Sequence, residues 1–100
     1  MSIIGKRNHK CIERGYHWVG GNQEIVKYLD GIESPELCQE FCNSNDRCTW
    51  FNWNFSGNEH KRCALLTKKG SRKDTKYDQG ASGSKHCNGK CEKNLCPINI

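Results

Sequence analysis

The sequence predicts a small, disulfide-rich α+β domain in which a short helix packs on an aromatic strand. Three observations carry this prediction: eight cysteines in 100 residues, a helix start signal at Ser34-Pro35, and alternating aromatic residues over 48–55. A chain of this length has room for one domain. Only 34% of the residues are hydrophobic and 27% are charged, so we expect disulfides to supply much of the stability.

The helix is predicted over 35–43. Ser34 is a favoured N-cap, Pro35 suits the first helical position, and Glu36 places a negative charge where the helix dipole favours it. Residues at i, i+1, i+4 and i+5 then form one predicted stripe of two thiols and two apolar side chains, namely Leu37, Cys38, Phe41 and Cys42.

Two extended runs precede the helix. Residues 16–19 enter a turn at Gly20-Gly21-Asn22, where adjacent glycines supply positive φ at little cost. Residues 24–29 form the second run, which ends at the turn dipeptide Asp30-Gly31.

The aromatic strand after the helix has a period of two, so its side chains divide between two faces. One face carries Phe51, Trp53 and Phe55, and the other carries Trp50, Asn52 and Asn54.

A turn at 56–58 and a second strand at 61–67 predict an antiparallel hairpin. The segment from 67 to 85 is rich in Gly, Ser, Lys and Asp, so we expect a loop with a short strand near Tyr77 or Ala81, for about five strands in all.

The cysteine count indicates an oxidising compartment, and hence a secreted protein or an ectodomain. The alternative is a reduced protein with a metal site. Its nearest approach is His86 with Cys87, Cys91 and Cys96, but no C-x2-C pair occurs. We therefore expect no metal and no cofactor.

No stretch approaches the roughly 20 apolar residues that span a bilayer, so no membrane insertion is expected. Residues 1–7 lack the apolar segment of a secretion signal. If the protein is secreted, we therefore expect either a mature fragment or a module taken from a longer chain.

The cysteine order Cys11, Cys38-x3-Cys42-x5-Cys48, Cys63 and Cys87 resembles the PAN/apple domain family. Supporting motifs are the helix over 35–42, Cys48-x2-Phe51-x-Trp53, Arg62-Cys63-Ala64-Leu65 and the segment 81–87. The resemblance covers about 11–87, with 1–10 as a flexible lead-in and 88–100 as a cysteine-containing tail.

This resemblance implies a curved antiparallel sheet of about five strands cradling one helix. It also implies three disulfides, Cys11–Cys87, Cys38–Cys63 and Cys42–Cys48. Cys91 and Cys96 lie outside the usual six, and we expect them either to pair with each other or to belong to a following module.

The family consists of non-catalytic binding modules whose ligands are proteins or carbohydrates, including sulfated glycosaminoglycans and galactose-type sugars. The resemblance therefore implies an extracellular adhesion module. A fold with so many partners does not identify the ligand.

Charge is distributed unevenly along the chain. From 11 to 60 there are three basic and eight acidic residues, a net of −5, whereas from 61 to 76 there are seven basic residues and one acid, a net of +6. The basic stretch either binds an anionic glycan such as heparan sulfate or is a solvated loop that aids solubility. Nucleic acid satisfies the same electrostatics, but the disulfide framework favours an extracellular polyanion. The candidate contacts here are Lys61, Arg62, Lys68, Lys69, Arg72, Lys73 and Lys76.

Two aromatic residues are further candidate contacts. Trp50 faces away from the helix, where its indole either stacks on a sugar or anchors a protein interface, unless another strand or loop covers it. Tyr77, beside Lys76 and Asp78, can supply a hydroxyl group to a sugar.

Catalysis is not indicated. The four histidines (His9, His17, His60 and His86) are scattered, no nucleophile elbow occurs, and paired cysteines leave no thiol nucleophile.

Asn54-Phe55-Ser56 is a formal N-glycosylation sequon.

The sequence therefore leads to three functional hypotheses for a partner outside the cell. The first is carbohydrate recognition, through a sulfated glycosaminoglycan or a galactose-type glycan. The second is protein–protein adhesion within a multi-domain surface or microneme-type protein. The third is an anti-haemostatic collagen or platelet binder. The sequence does not predict the oligomeric state.

Overall fold

The computed structural model describes residues 11–55 and 61–86. Within these ranges the chain forms one helix and seven strands. In order these are β1 (Glu13–Arg14), β2 (His17–Val19), β3 (Ile25–Leu29), α1 (Pro35–Asn43), β4 (Trp50–Asn54), β5 (Arg62–Leu66), β6 (Arg72–Asp74) and β7 (Gly80–Ser84). The predicted α+β class, with one helix and a five-stranded antiparallel sheet, is confirmed.

Helix α1 begins where its sequence signals place it. The Ser34 hydroxyl oxygen accepts a hydrogen bond from the Leu37 backbone N–H at 3.2 Å, and Pro35 occupies the first turn. Glu36 lies in the same turn. At the other end the Ser44 backbone N–H donates to the Glu40 carbonyl at 3.1 Å, which closes the last turn.

The four residues of the predicted stripe on α1 do not share one buried face. Cys38 and Cys42 are fully buried, but Leu37 and Phe41 are 39% and 40% exposed. Pro35 and Gln39 are buried instead. The inward face follows the two cysteines because each is bonded to a cysteine outside the helix, and Leu37 and Phe41 then lie about a quarter turn away from it.

The N-cap supports one stability prediction. Replacing Ser34 with alanine should lower the free energy of unfolding by about 1 kcal/mol, because the Leu37 N–H loses its acceptor. Urea denaturation followed by circular dichroism measures this change. Ser71→Ala is the control, since Ser71 is exposed and makes no hydrogen bond among the described residues. Equal losses in the two variants would contradict the capping role.

The five-stranded sheet has the order β1-β7-β4-β5-β3, and each neighbouring pair is antiparallel. The predicted hairpin partners β4 and β5 pair in register, with Phe51 opposite Leu65 and Trp53 opposite Cys63. The turn predicted at 56–58 lies outside the described residues. A separate two-stranded ribbon joins β2 to β6.

The two faces of β4 contribute to two different cores, as the period of two predicts. Phe51 and Trp53 pack with Cys38 and Cys42 on the helix side, and the Trp53 indole N–H donates to the Ile32 carbonyl at 2.8 Å. On the opposite face, Trp50 belongs to a smaller apolar cluster.

Two disulfides join the helix to the rest of the core. Cys38–Cys63 links α1 to β5, and Cys42–Cys48 links α1 to the segment directly before β4. Both predicted pairings are confirmed. Cys11 is disulfide-bonded, but its expected partner Cys87 lies outside the described residues, as do Cys91 and Cys96. The pairings Cys11–Cys87 and Cys91–Cys96 therefore stay predictions.

The segment predicted as mostly loop contains two strands. Strand β7, which includes the predicted position Ala81, is a central strand between β1 and β4. Its glycines allow close packing, since a Cβ on Gly83 would lie 3.1 Å from the Phe51 ring. Tyr77 lies outside any strand, and β6 was not predicted.

Candidate functional site

The ribbon formed by β2 and β6 lies on the face of the sheet that α1 leaves open. The Asn52 side-chain amide donates to the Trp18 carbonyl at 2.9 Å, and its oxygen accepts from the Trp18 N–H at 3.3 Å. The Ser82 hydroxyl donates to the Tyr16 carbonyl at 3.0 Å, and a ring nitrogen of His17 is hydrogen-bonded to the Trp53 carbonyl at 2.9 Å. Three buried polar side chains thus hold the ribbon on the sheet.

Trp50 is not exposed, so its predicted role as an outward-facing indole is wrong. It is 6% exposed and packs with Leu66 and Trp18. Its indole N–H donates to the Asn52 side-chain oxygen at 3.2 Å. The Lys69 ammonium then lies 5.1 Å from the Trp50 ring centroid. Trp18 of the ribbon and Lys69 of the segment before β6 therefore cover the Trp50 indole. The sequence alone did not decide whether another segment covers this side chain.

Lysines of the basic stretch lie over aromatic rings of the ribbon. The Lys69 ammonium is 4.1 Å from the Trp18 ring centroid, and the Lys73 ammonium is 4.4 Å from that of Tyr16. Tyr16 and Trp18 meet edge to face at 6.4 Å. Cation–π contacts of this kind hold the ammonium groups in place while leaving them accessible to anions.

Glu13 is the acid nearest to these rings. The Trp18 indole N–H donates to its carboxylate at 2.8 Å. Burial raises the pKa of Tyr16, and the hydrogen bond and negative charge of Glu13 raise it further. Tyr16 therefore stays a neutral phenol throughout the physiological pH range.

The structure divides the seven predicted basic contacts into two groups. Lys61 is paired with Glu33 at 2.8 Å, and Arg62 is paired with Asp30 at 2.9 Å while its guanidinium lies over the Tyr28 ring. These two cations are largely neutralised. The other five lie on β6 or on the segments directly before and after it; we call them the basic ribbon surface, and they are Lys68, Lys69, Arg72, Lys73 and Lys76.

The charges of the basic ribbon surface are mostly uncompensated. Lys76 approaches Asp74 at 3.9 Å. Within the described parts of the chain, the other four cations have no carboxylate within ion-pair distance. All five are exposed, so this surface presents concentrated positive charge to solvent.

A cleft of about 170 Å³ lies between the ribbon and the open face of the sheet. Tyr77, the last predicted contact, is half-buried at its edge and stacks on His17 with ring centroids 3.8 Å apart. The residues that line the cleft are His17, Val19, Gln23, Ile25, Tyr28, Asn52, Asn54, Arg62, Ala64, Leu66 and Tyr77.

Most of the cleft residues were not predicted as contacts. Among them only Arg62 and Tyr77 belong to the predicted set. Asn52 and Asn54 were placed on this face by the alternation of β4, but nothing in the sequence indicates that β2 crosses above them. His17 gives no signal at all, because its partners Trp53 and Tyr77 are distant in the chain.

A shallow depression on the outer side of α1 is the other surface feature. It is lined by Leu37, Glu40, Phe41 and Ser44. Its two apolar side chains, Leu37 and Phe41, are the exposed members of the predicted stripe.

Among the described residues, no group of three or more His, Cys, Asp or Glu side chains is placed to hold a metal ion. The described helix is too short to cross a membrane. All five described cysteines are disulfide-bonded.

Comparison with known proteins agrees with this architecture. The family model described as PAN domain matches residues 14–91. The chain is also similar to a PAN module from Eimeria tenella whose structure was determined in solution. That match has 21% identity and a TM-score of 0.57, and it covers 89% of this chain and 92% of that chain. A search of curated proteins gives no match. At this identity the structural similarity concerns the fold.

Proposed function

Because the chain belongs to the PAN domain family, whose modules bind proteins or carbohydrates in adhesion, we propose that it is a non-catalytic module that recognises a sulfated glycosaminoglycan. PAN modules with disulfides typically occur in secreted or extracellular proteins. We place this chain there as well, with an extracellular glycan as its partner.

The single observation that carries this proposal is the grouping of unpaired cations on the basic ribbon surface. Lys68, Lys69, Arg72 and Lys73 make no ion pair with a described carboxylate. Exposed cations without partners favour association with a polyanion, and arginine can hold a sulfate with two parallel hydrogen bonds. The alternative, a solvated loop without a ligand role, is less well supported because Lys69 and Lys73 lie over aromatic rings of the ribbon.

Protein–protein adhesion is the second candidate. Its original support was an exposed Trp50, and that support is lost because the indole is buried. The exposed pair Leu37 and Phe41 on α1 now favours it, since an apolar patch is a feature of protein contact sites. This surface lies on the helix side of the sheet, so the two candidates predict contacts on different faces.

Binding to immobilised heparin at a series of salt concentrations tests the glycan proposal. Arg72→Gln/Lys73→Gln should weaken binding about tenfold near 0.15 M salt, since each lost contact contributes about 0.5–1 kcal/mol. The slope of log Kd against log salt should also fall by about 1.5–2, because two contacts no longer release counterions.

Lys61→Gln/Arg62→Gln is the matched control. It removes the same two charges, but from residues that are already paired with Glu33 and Asp30. We expect it to weaken heparin binding about twofold or less. Equal losses in the two double variants would mean that net charge, and not the basic ribbon surface, governs retention.

A further inference from the structure

We propose that the cleft beneath the ribbon is a second subsite, which takes one uncharged, hydroxyl-rich sugar ring. This inference rests on the proposed carbohydrate function and extends it. The ligand would then carry a neutral sugar unit next to an anionic segment.

The charge balance of the cleft favours an uncharged ligand. Arg62 is the single Lys, Arg, Asp or Glu residue that lines it, and its guanidinium is paired with Asp30 at 2.9 Å. The remaining polar lining consists of amides, phenols and one imidazole. An anionic group placed here would lose water without gaining an unpaired cation.

The cleft offers hydrogen-bonding groups that are not used within the protein. In the described structure, the Asn54 side-chain amide and the hydroxyl groups of Tyr28 and Tyr77 make no hydrogen bond. An amide provides donors and acceptors side by side, and a phenol provides one of each. Such groups match the adjacent hydroxyls of a sugar ring, each of which both donates and accepts.

The walls of the cleft are held in place by contacts already described. Asn52 is buried, and its amide is bonded to both backbone groups of Trp18. Tyr77 is held by its stack on His17, which is in turn bonded to the Trp53 carbonyl. A site with fixed walls binds without a large ordering cost, which a small ligand could not offset.

The size of the cleft suits a single ring. A volume of about 170 Å³ corresponds to about six water molecules. Apolar side chains of Val19, Ile25 and Ala64 line part of it, so the hydrocarbon face of a ring has a matching surface.

The cleft and the basic ribbon surface share the ribbon as a common wall. His17 and Val19 of β2 line the cleft, and Arg72 of β6 is the strand partner of Val19. Gln23, another lining residue, donates to the Lys68 carbonyl at 3.0 Å. One glycan can therefore place a neutral unit in the cleft and an anionic unit on the ribbon.

Titration of the ¹⁵N-labelled, oxidised protein with single neutral sugars tests this subsite. The probes are D-galactose, D-glucose, D-mannose and N-acetyl-D-glucosamine, each at millimolar concentrations. The protein is produced without N-glycosylation, because Asn54 opens a glycosylation sequon. At least one sugar should shift the backbone amide signals of 17–19, 52–54 and 62–66, and none should shift those of 37–44.

Two variants remove the proposed contacts. Asn54→Leu and Tyr77→Phe should each weaken binding of the responding sugar about three- to tenfold, as expected for one hydrogen bond. Tyr16→Phe removes the same hydroxyl outside the cleft and should leave the affinity unchanged. The subsite would be overturned if none of the four sugars shifted these signals. It would also be overturned if both cleft variants bound the responding sugar with the affinity of the unsubstituted protein.

The neutral-sugar titration and the heparin experiment test the two proposals independently. Arg72→Gln/Lys73→Gln should lose heparin affinity while keeping the response to the neutral sugar. Heparin binding without any sugar response overturns the cleft alone, whereas a sugar response without specific heparin binding overturns the role of the basic ribbon surface alone.

Discussion

Replacing Cys38 and Cys63 together with alanine should lower the free energy of unfolding by about 3–4 kcal/mol, the loss expected when a loop of this length is no longer closed in the unfolded chain. The two cysteines are 25 residues apart and both are fully buried. They join α1 to β5 at the centre of the larger core. Packing that is lost there adds to the destabilisation caused by the greater chain entropy of the unfolded state. For a domain of this size the melting temperature should fall by about 12–32 °C.

Thermal and urea denaturation of the oxidised proteins measures this loss. Cys42→Ala/Cys48→Ala is the matched comparison, because those cysteines are equally buried but only 6 residues apart. We expect it to cost about 2 kcal/mol. If the short-loop variant were the less stable of the two, loop closure could not be the main contribution of these bonds.

Replacing Gly70 with alanine should displace the ribbon, because there is no space for a side chain at this position. An added Cβ would lie 2.2 Å from the Val19 backbone nitrogen and 2.5 Å from the Trp18 carbonyl carbon. Neither atom can move by a side-chain rotation, so the backbone of β2 or of residues 69–71 must shift. We expect a loss of about 2–3 kcal/mol in the free energy of unfolding.

The same substitution should reduce heparin affinity although it removes no charge. Gly70 follows Lys69, and its close approach to β2 is what brings the Lys69 ammonium over the Trp18 ring. Heparin binding and tryptophan fluorescence, together with urea denaturation, measure the change.

Gly31→Ala is the control for the Gly70 substitution. An added Cβ there meets no atom within 4 Å, although its φ of +74° disfavours a side chain. We expect a loss of about 1–2 kcal/mol and unchanged heparin affinity. Unchanged heparin affinity in Gly70→Ala would mean that the placement of Lys69 does not matter for binding.

Local signals in the sequence were sufficient for the elements around the helix. Ser34-Pro35 defines the start of α1 through capping chemistry, which depends only on neighbouring residues. The alternation over 48–55 assigned Phe51 and Trp53 to one face of β4 and Trp50 to the other. The family resemblance, not the spacing alone, supplied the pairings Cys38–Cys63 and Cys42–Cys48.

Strands β6 and β7 could not be predicted with the same success. Arg72-Lys73-Asp74 contains no apolar residue, so no periodicity marks it; its partner β2 is more than 50 residues away. Strand β7 consists of glycine, alanine and serine, which have low strand propensity, but these small residues fit beneath the Phe51 ring. In both cases distant contacts outweigh local preference.

By itself, therefore, the sequence determined the helix, the central hairpin and the concentration of positive charge after residue 60. The tertiary structure alone decided which charges are available and where a ligand can fit. It pairs Lys61 and Arg62 with acids about 30 residues away, leaves Lys69 and Lys73 over aromatic rings, and buries Trp50 beneath the ribbon. The physical reason is that ion pairing and burial depend on residues brought together from distant parts of the chain, whereas capping and strand alternation depend on nearest neighbours.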